Sequence, residues 1–384
     1  MQRTVSVETV RTVDGVAALR PCYERLQQAT GNTLPFALHE WHLAWCHHFL
    51  NCNPRILDEP LFYVVRDSGG ACVALLPFVL SKRRVGLLNI ASIDLLGADP
   101  AVTEIRAPMI VPGYELLTAH AVQHQLAKTR GWDWIHWSGV SAAFAQALGT
   151  GGNLRWLAPL SDVVLDLAPS WEAFRRGLKR NIRESLRHCY NSLKRDGHEY
   201  ELQVIDSTPE VRRSLDRFIE LHVMRANLAT AVAHPNRFAS RISRDFLYEV
   251  CERLSKSGAL RLFQFKIASD IVAMRIGFAV GDCLYLYYSG YDPAWSRYSV
   301  MTTTVAEAIK YAIAHGFKTV NLSPTKDVSK MRWSPREIEY PCAYQQGARL
   351  RSRLARRAYI KARSGSGLQS RLLQHLIAAR RNWQ

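Results

Sequence analysis

Acidic charge is what this sequence has least of. Its 384 residues hold 33 Asp and Glu against 50 Lys and Arg, a formal net charge of +17. From residue 348 to the end there are ten basic residues and no acidic one, so this tail alone supplies ten of the net positive charges. Long apolar runs are also missing. The longest, Ala71–Leu80, is ten residues and contains Pro77, about half of what a helix needs to span a bilayer. The opening MQRTVSVETVRTVDG carries charges and no apolar stretch, which excludes a visible secretory signal. The eight cysteines include no C-x-x-C pair and no regular spacing, so a disulfide framework is not expected and a reduced, cytoplasmic protein is. P-loop, G-x-S-x-G and intact G-x-G-x-x-G patterns are absent, and NTP-cleaving and hydrolase readings lose their usual supports. His39, His42, His47 and His48 crowd one segment but lack H-E-x-x-H spacing and alternate with tryptophans, so no metal site is expected. No repeat of 20–50 residues suggests a solenoid.

What is present is ordinary globular chemistry, with 48% hydrophobic and 22% charged residues. The length suits two domains, and we place them at 1–160 and 161–347, with a basic tail at 348–384. The chain is organised around Leu260–Leu322. Three β-rich segments, LRLFQF, IVAMRIGFAV and LYLYYSGY, are separated by Ala268-Ser269-Asp270 and Gly281-Asp282, the pattern of a meander. A loop with Asp292-Pro293 follows. The periodicity then turns helical, with Val305, Ile309, Ala312 and Ile313 on one face, and a strand at Thr319–Leu322 closes the unit. Such a loop feeding a helix N-terminus is a natural phosphate cradle. The N-terminal half has a similar outline: helices, a hairpin turning at Asp67-Ser68-Gly69-Gly70, a helix at Tyr114–Thr129 and the strand WDWIHWSGV.

Between the halves, residues 171–195 read as one helix. Phe174, Leu178, Ile182, Leu186, Tyr190 and Leu193 form its apolar stripe, and Arg175, Arg176, Lys179, Arg180, Arg183, Arg187, Lys194 and Arg195 lie around it. That basic surface reads either as a phosphate grip or as a solvated face. The tail segment LQSRLLQHLIAARR sets Leu368, Leu372, Leu376 and Ile377 beside arginines. It suits an anionic membrane surface, or equally a helix docked on the body.

Three short motifs carry more. LHVMRA (221–226), SGYDP (289–293) and DVSKMRW (327–333) follow Trp41 through Trp45, Leu75–Phe78 and Trp132-Asp133 in one order along the chain. In that order they resemble the GNAT acyltransferase superfamily, specifically its CelD-like (cellulose-biosynthesis type) branch, related to the FemAB peptidyltransferases. The resemblance covers about residues 5–346. It implies a mixed-sheet α/β fold of tandem GNAT-like units, with the donor bound at the second, where two central strands splay apart. Arg297, Ser299, Thr302 and Thr303 fall where the family wraps a pyrophosphate at a helix start; Val300 and Thr302 replace both small residues of that loop.

The implied activity is transfer of an acyl group from acyl-CoA to an amine or hydroxyl, in polysaccharide or cell-envelope biosynthesis. Such transfer needs a deprotonated nucleophile, a stabilised oxyanion and a protonated leaving group. His222 titrates in the useful range and is the expected general base. Asp292 is the second choice, holding the acceptor amine. Tyr291 or Tyr288 donates the proton to the leaving thiolate, Lys330 neutralises developing charge, and Arg225, one helical turn from His222, binds an anionic substrate group. Alternatives are FemAB-like transfer from aminoacyl-tRNA, which would use the positive charge on RNA phosphates, and a non-catalytic module of a membrane-bound synthase complex.

Overall fold

The computed structural model describes residues 3–85, 88–98, 102–150, 154–228, 234–347 and 349–363. They form two units. One holds the described residues of Met1–Leu160, Ser240–Phe246 and Glu339–Gln384, the other those of Ser161–Ala239 and Leu247–Ile338.

In the first unit, β1 (Val5–Val10) is followed by helices α1 (Val13–Ala18), α2 (Arg20–Thr30) and α3 (His39–Phe49). Strands β2 (Ile56–Asp67), β3 (Cys72–Val85) and β4 (Leu88–Leu95) then complete an antiparallel meander with β1. The β2–β3 hairpin turns where the glycines predict it. Asp67 Oδ1 accepts from Gly69 N and Ala71 N, both at 3.0 Å, and Gly70 has φ 80°. A short β5 (Met109–Ile110) pairs with β3, and α4 (Glu115–Lys128) leads to β6 (Trp134–Trp137), parallel to β4. Alternation along the strands sends Leu61, Tyr63 and Val65 with Leu76 and Phe78 into one core. Val122 and Leu126 of α4 join them, with Phe144 and Leu148 of α5 (Ala142–Gly149).

The second unit repeats this plan. After β7 (Leu154–Asp166), α6 (Trp171–Gly177) and α7 (Arg180–Arg195), a meander runs through β8 (Tyr200–Ile205), β9 (Leu260–Ile267), β10 (Asp270–Val280) and β11 (Cys283–Tyr291). Helix α8 (Thr208–Ala226) and helix α9 (Arg241–Lys256) lie between β8 and β9 in the chain. Helix α10 (Val300–Ala314) then leads to β12 (Thr319–Pro324), parallel to β11 just as β6 is to β4. Val305, Ile309 and Ala312 are buried beside Ile182 and Leu186 of α7, the stripes their spacing predicts. Residues 171–195 are two helices rather than one. Leu178 and Lys179 adopt extended backbone between them, yet Leu178 stays buried with the rest of the stripe.

Each unit gains one more antiparallel strand: β7 on β12, and β13 (Arg336–Gln346), which follows the short α11 (Val328–Met331), on β6. This differs from a boundary at 347. Residues 339–347 belong to the first unit because Ala343–Gln346 pair with Trp134–Trp137, and Gln345 accepts from Trp137 Nε1 at 3.2 Å. The first part of the basic tail is also docked there, as α12 (Leu350–Arg363). Ala355 is buried, Ser352 Oγ donates to Asp133 Oδ1 at 3.2 Å, and Tyr359 packs at a tilt against Trp134 with ring centroids 5.2 Å apart. The Leu368–Ile377 stripe lies outside the described residues.

His39 and His42 are core residues. His39 Nε2 bonds the Val16 carbonyl at 3.1 Å and His42 Nδ1 meets Tyr23 Oη at 2.5 Å, while burial drives the His42 pKa down to about 3. All eight cysteines are free. No helix of the described residues is long and apolar enough to cross a membrane.

Candidate functional site

The second unit's parallel pair opens after three residues. Cys283, Leu284 and Tyr285 of β11 pair with Thr319, Val320 and Asn321 of β12, and the strands then part. Strand β11 runs on to Tyr291, while β12 bends: its register against β7 shifts between Asn321 and Pro324, and Ser323 and Thr325 have φ of 68° and 83°. Asn321 builds the bend. Its Oδ1 accepts from Ser323 N at 2.7 Å, the Asx-turn geometry that lets a polar residue interrupt a strand. Its Nδ2 donates to Asp162 Oδ2 at 2.8 Å. Asp162 is fully buried, and its Oδ1 has no hydrogen-bond partner among the described residues. Burial raises its pKa to about 6, against the pull of the Asn321 hydrogen bond and the Lys330 charge.

Lys330 is held over the bend from α11. Its Nζ donates to Ser323 Oγ at 3.1 Å, to Thr325 Oγ1 at 3.2 Å and to the Pro324 carbonyl, with Asp327 Oδ2 at 3.8 Å. Asp327 caps α11, accepting from Lys330 N at 3.2 Å. Polar groups therefore fix the lysine where the strands diverge.

From the other side comes α8, and Gly290 is what lets it approach. A Cβ at this position would lie 2.3 Å from His222 N, so only glycine fits the contact. Arg225 Nη1 donates to Ser289 Oγ at 2.6 Å, and its Nη2 lies 3.2 Å from the ring nitrogens of His234. Burial lowers the Arg225 pKa, while Tyr291 and Asp327 lie close enough to oppose that shift. Arg225, Ser289, Tyr291, Asp327 and Lys330 thus share one neighbourhood.

His222 does not fit the expected role of general base. It is buried, its Nδ1–H donates to the Ser289 carbonyl at 3.0 Å, and its Nε2 accepts from Arg237 N at 3.3 Å. Both nitrogens are spent, and burial depresses its pKa to about 4. The ring is a neutral tether between α8 and β11. Asp292 is likewise structural in this geometry: its Oδ1 accepts from Ala294 N at 2.9 Å and caps the turn Pro293–Tyr298. Tyr288 packs edge-on against His222 and Phe238, with centroids 5.9 and 5.5 Å away.

The helix start expected to cradle phosphates is partly closed. Ser299 takes a left-handed conformation, φ 51°, at the N-cap of α10. Val300 is 1% exposed and packs with Phe265, Ile267 and Tyr298, which explains a bulky residue where the family pattern has a small one. Thr303 is fully buried, so its hydroxyl cannot meet a phosphate outside the helix; that expectation is corrected. Ser299 and Thr302 stay half-buried at the helix end. Arg297 lies over the Tyr298 ring at 4.7 Å and donates to its hydroxyl at 2.6 Å. Tyr298 in turn donates to Asp196 Oδ2 at 3.0 Å.

Residues 180–331 match the family model of the acetyltransferase (GNAT) domain. That span contains the parting strands, α8, the start of α10 and Lys330. No curated protein matches the chain. Among solved structures, FemX aligns with TM-score 0.61 and 10% identity over 93% of this chain and 99% of its own. The C-terminal domain of a putative lysylphosphatidylglycerol synthetase from Agrobacterium fabrum aligns with TM-score 0.51 and 14% identity, over 89% and 96%. L-PGS from Bacillus licheniformis aligns with TM-score 0.51 and 12% identity, over 88% and 96%. At these identities the likeness is one of fold. Within residues 180–331 and the flanking β7, sequence reasoning missed Asp162, Asn321 and Ser323. The one available signal was a lone Asn inside the apolar strand TVNL.

Proposed function

We propose that the protein transfers an acyl group from acyl-CoA to an amine or hydroxyl acceptor where β11 and β12 part. The observation that carries this is Lys330, pinned at the bend of β12 inside the segment matching the GNAT domain. A thioester carbonyl lying between the parted strands would develop negative charge on its oxygen. The backbone N–H groups of β11 beyond the pairing are the donors in reach, and Lys330, whose N–H groups hold Ser323, Pro324 and Thr325, adds its charge; preorganised electrostatics of this kind is the strongest single source of stabilisation in acyl transfer. Tyr291 is the proposed proton donor to the leaving thiolate, and it lies beside Arg225. Arg225 also orders Ser289, and Asp162 holds Asn321 and thereby the bend. Ser299 and Thr302, with the N–H groups of α10, are the proposed phosphate contacts.

A second reading, with aminoacyl-tRNA as donor, is favoured by two observations. Val300 and Thr303 are buried at the helix start, and Arg175, Arg176, Lys179, Arg183 and Arg187 along α6–α7 are all exposed. The names of the fold neighbours, FemX and lysylphosphatidylglycerol synthetase, accord with an envelope setting, as does the proposed CelD-like affiliation; a peripheral position at the inner membrane face is part of the same reading.

Release of CoA from acetyl- and longer acyl-CoAs, measured with a thiol reagent, tests the first reading. Turnover is expected to fall on the order of 100-fold or more in Lys330→Met, which removes the charge beside the oxyanion and the anchor of the bend, the scale of losing one preorganised electrostatic contact. If the wild-type chain neither binds nor turns over any acyl-CoA and calorimetry detects aminoacyl-tRNA, the second reading replaces it.

A further inference from the structure

The first unit holds a cavity that the transfer chemistry does not use. It has a volume of about 610 Å³ and lies between the start of β7, the end of β13 and α12, within the range of small-molecule sites, roughly 300–1,000 Å³. Four arginines line it, Arg155, Arg353, Arg356 and Arg357, and no acidic residue does. The placement follows from helix periodicity. Ser352, Ala355 and Tyr359 dock α12 on the unit, which turns positions 353, 356 and 357, one turn apart, to another face. On the docking side, Arg351 finds partners: it donates to the Asn89 carbonyl at 2.6 Å and lies 3.9 Å from Asp133 Oδ1. Arg155, Arg353 and Arg357 make no hydrogen bond or ion pair among the described residues. Arg356 is fixed differently, its guanidinium 3.5 Å from the ring centroid of Tyr344. That tyrosine is 6% exposed and paired in β13 opposite His136 of β6, so the floor of the cavity is part of a sheet.

Like charges gathered around one concavity repel, and an anion relieves them. Guanidinium forks match phosphate oxygens bidentately. A phosphate monoester carries about two negative charges at neutral pH, fewer than the four cations present, whereas a diphosphate carries more and spans two forks. We propose that this cavity binds the diphosphate group of a phosphorylated ligand. The group belongs either to a soluble diphosphate ester or to a lipid-linked one. Trp156, Leu157 and Leu354, chain neighbours of the lining arginines, are 50%, 45% and 56% exposed, as residues beside a lipid headgroup would be. A nucleic-acid backbone fits less well, because it is tracked by cations spread along a groove and these converge on one hollow.

The test uses the full chain and reads binding alone, so it does not depend on the acyl-transfer reading. Calorimetry with inorganic pyrophosphate and with orthophosphate is compared for wild type, the cavity pair Arg353→Gln/Arg357→Gln, and the charge-matched pair Arg55→Gln/Arg130→Gln, which is exposed outside the cavity. Pyrophosphate is expected to bind more tightly than orthophosphate. The cavity pair should weaken it about tenfold or more, the scale of losing charge-assisted hydrogen bonds, and the control pair should not. Arg155→Gln on β7 serves if the α12 pair fails to fold. Flotation with phosphatidylcholine vesicles, with and without a polyprenyl diphosphate, separates the sources. Capture by the doped vesicles alone, lost in the cavity variant, assigns the lipid; pyrophosphate binding without capture assigns the soluble ester. Absence of pyrophosphate binding, equal weakening by both pairs, or binding of RNA alone would overturn the proposal.

Discussion

Replacing Gly290 by alanine tests the link between α8 and the parted strands. The added methyl carbon would sit 2.3 Å from His222 N, 2.5 Å from Leu221 C and 2.8 Å from His222 Cα. Ordinary carbon contacts lie at about 3.5–4.0 Å, so the overlap is about 1 Å, and all three partners are backbone. No rotamer change relieves it. The helix must back away as a body. Overpacking of this kind costs about 1–3 kcal/mol. Withdrawal also stretches the His222–Ser289 bond at 3.0 Å and the Arg225–Ser289 bond at 2.6 Å, each worth roughly 1–2 kcal/mol. The expected loss is about 3–7 kcal/mol, or a fall in Tm of roughly 6–28 °C for a unit of this size. Gly177→Ala is the control. It sits in α6 with no heavy atom within 4 Å of the added methyl and no positive φ, and alanine there should be neutral or stabilising by about 0.5–1 kcal/mol. Both variants are measured by calorimetric melting and urea denaturation. A Gly290→Ala chain within about 0.5 kcal/mol of wild type, the scatter of inert surface changes, would show that α8 does not lie this close to β11. The position assigned to Arg225 would then fall as well.

Two further expectations concern pH. His222 has a folded pKa of about 4 against 6.5 unfolded, so its contribution is fully present above about pH 6.5 and is lost as pH falls toward 4, by about 3 kcal/mol. His222→Gln should flatten that part of the stability profile without removing an alkaline or acid limb from the rate; loss of a rate limb would restore the histidine as a base. Asp162 has the opposite sign. Its folded pKa of about 6 exceeds the usual 3.8, so stability is lost as pH rises through 6, and Asp162→Asn should gain about 3 kcal/mol relative to wild type between pH 4 and pH 8. Denaturation at those two pH values checks this, and an equal difference at both would refute the buried, half-partnered carboxylate.

Features set by local periodicity were legible in the sequence. The three strands after Leu260, the α10 stripe of Val305, Ile309 and Ala312, and the hairpin at Asp67–Gly70 each depend on residues a few positions apart. Strand exchange was not. Residues 339–347 read as a continuation of the second half, and nothing local tells Ala343 that its partner is Trp137, 206 positions away in the numbering of the pair. The site divides the same way. Lys330 and Arg225 could be picked out by type and motif, but Asp162 enters through its pairing on β12 and has no motif of its own. Val300 stood out as a departure from the family pattern, and its cause, a place in the core with Phe265 and Tyr298, is tertiary.

The L-H-x-x-R and G-Y-D-P motifs show why residue type is weaker than hydrogen-bond inventory as a guide to chemistry. Read as types, they offer a histidine, a tyrosine and an aspartate, three plausible proton carriers. Counted as donors and acceptors, His222 has no nitrogen left over and Asp292 spends an oxygen on its own turn. What the two motifs accomplish together is mechanical. The glycine removes a side chain so that the helix can reach the strand, and the histidine then bonds the Ser289 carbonyl from within that contact. One turn further along α8, Arg225 reaches the hydroxyl of the same serine. A motif pair 60-odd residues apart thus behaves as a clasp that sets one cation at the mouth of the parted strands, and Lys330, set by the bend of β12, is the second. On this reasoning the clasp residues should govern stability and positioning together, and the chemistry should rest on Lys330 and the groups that face it.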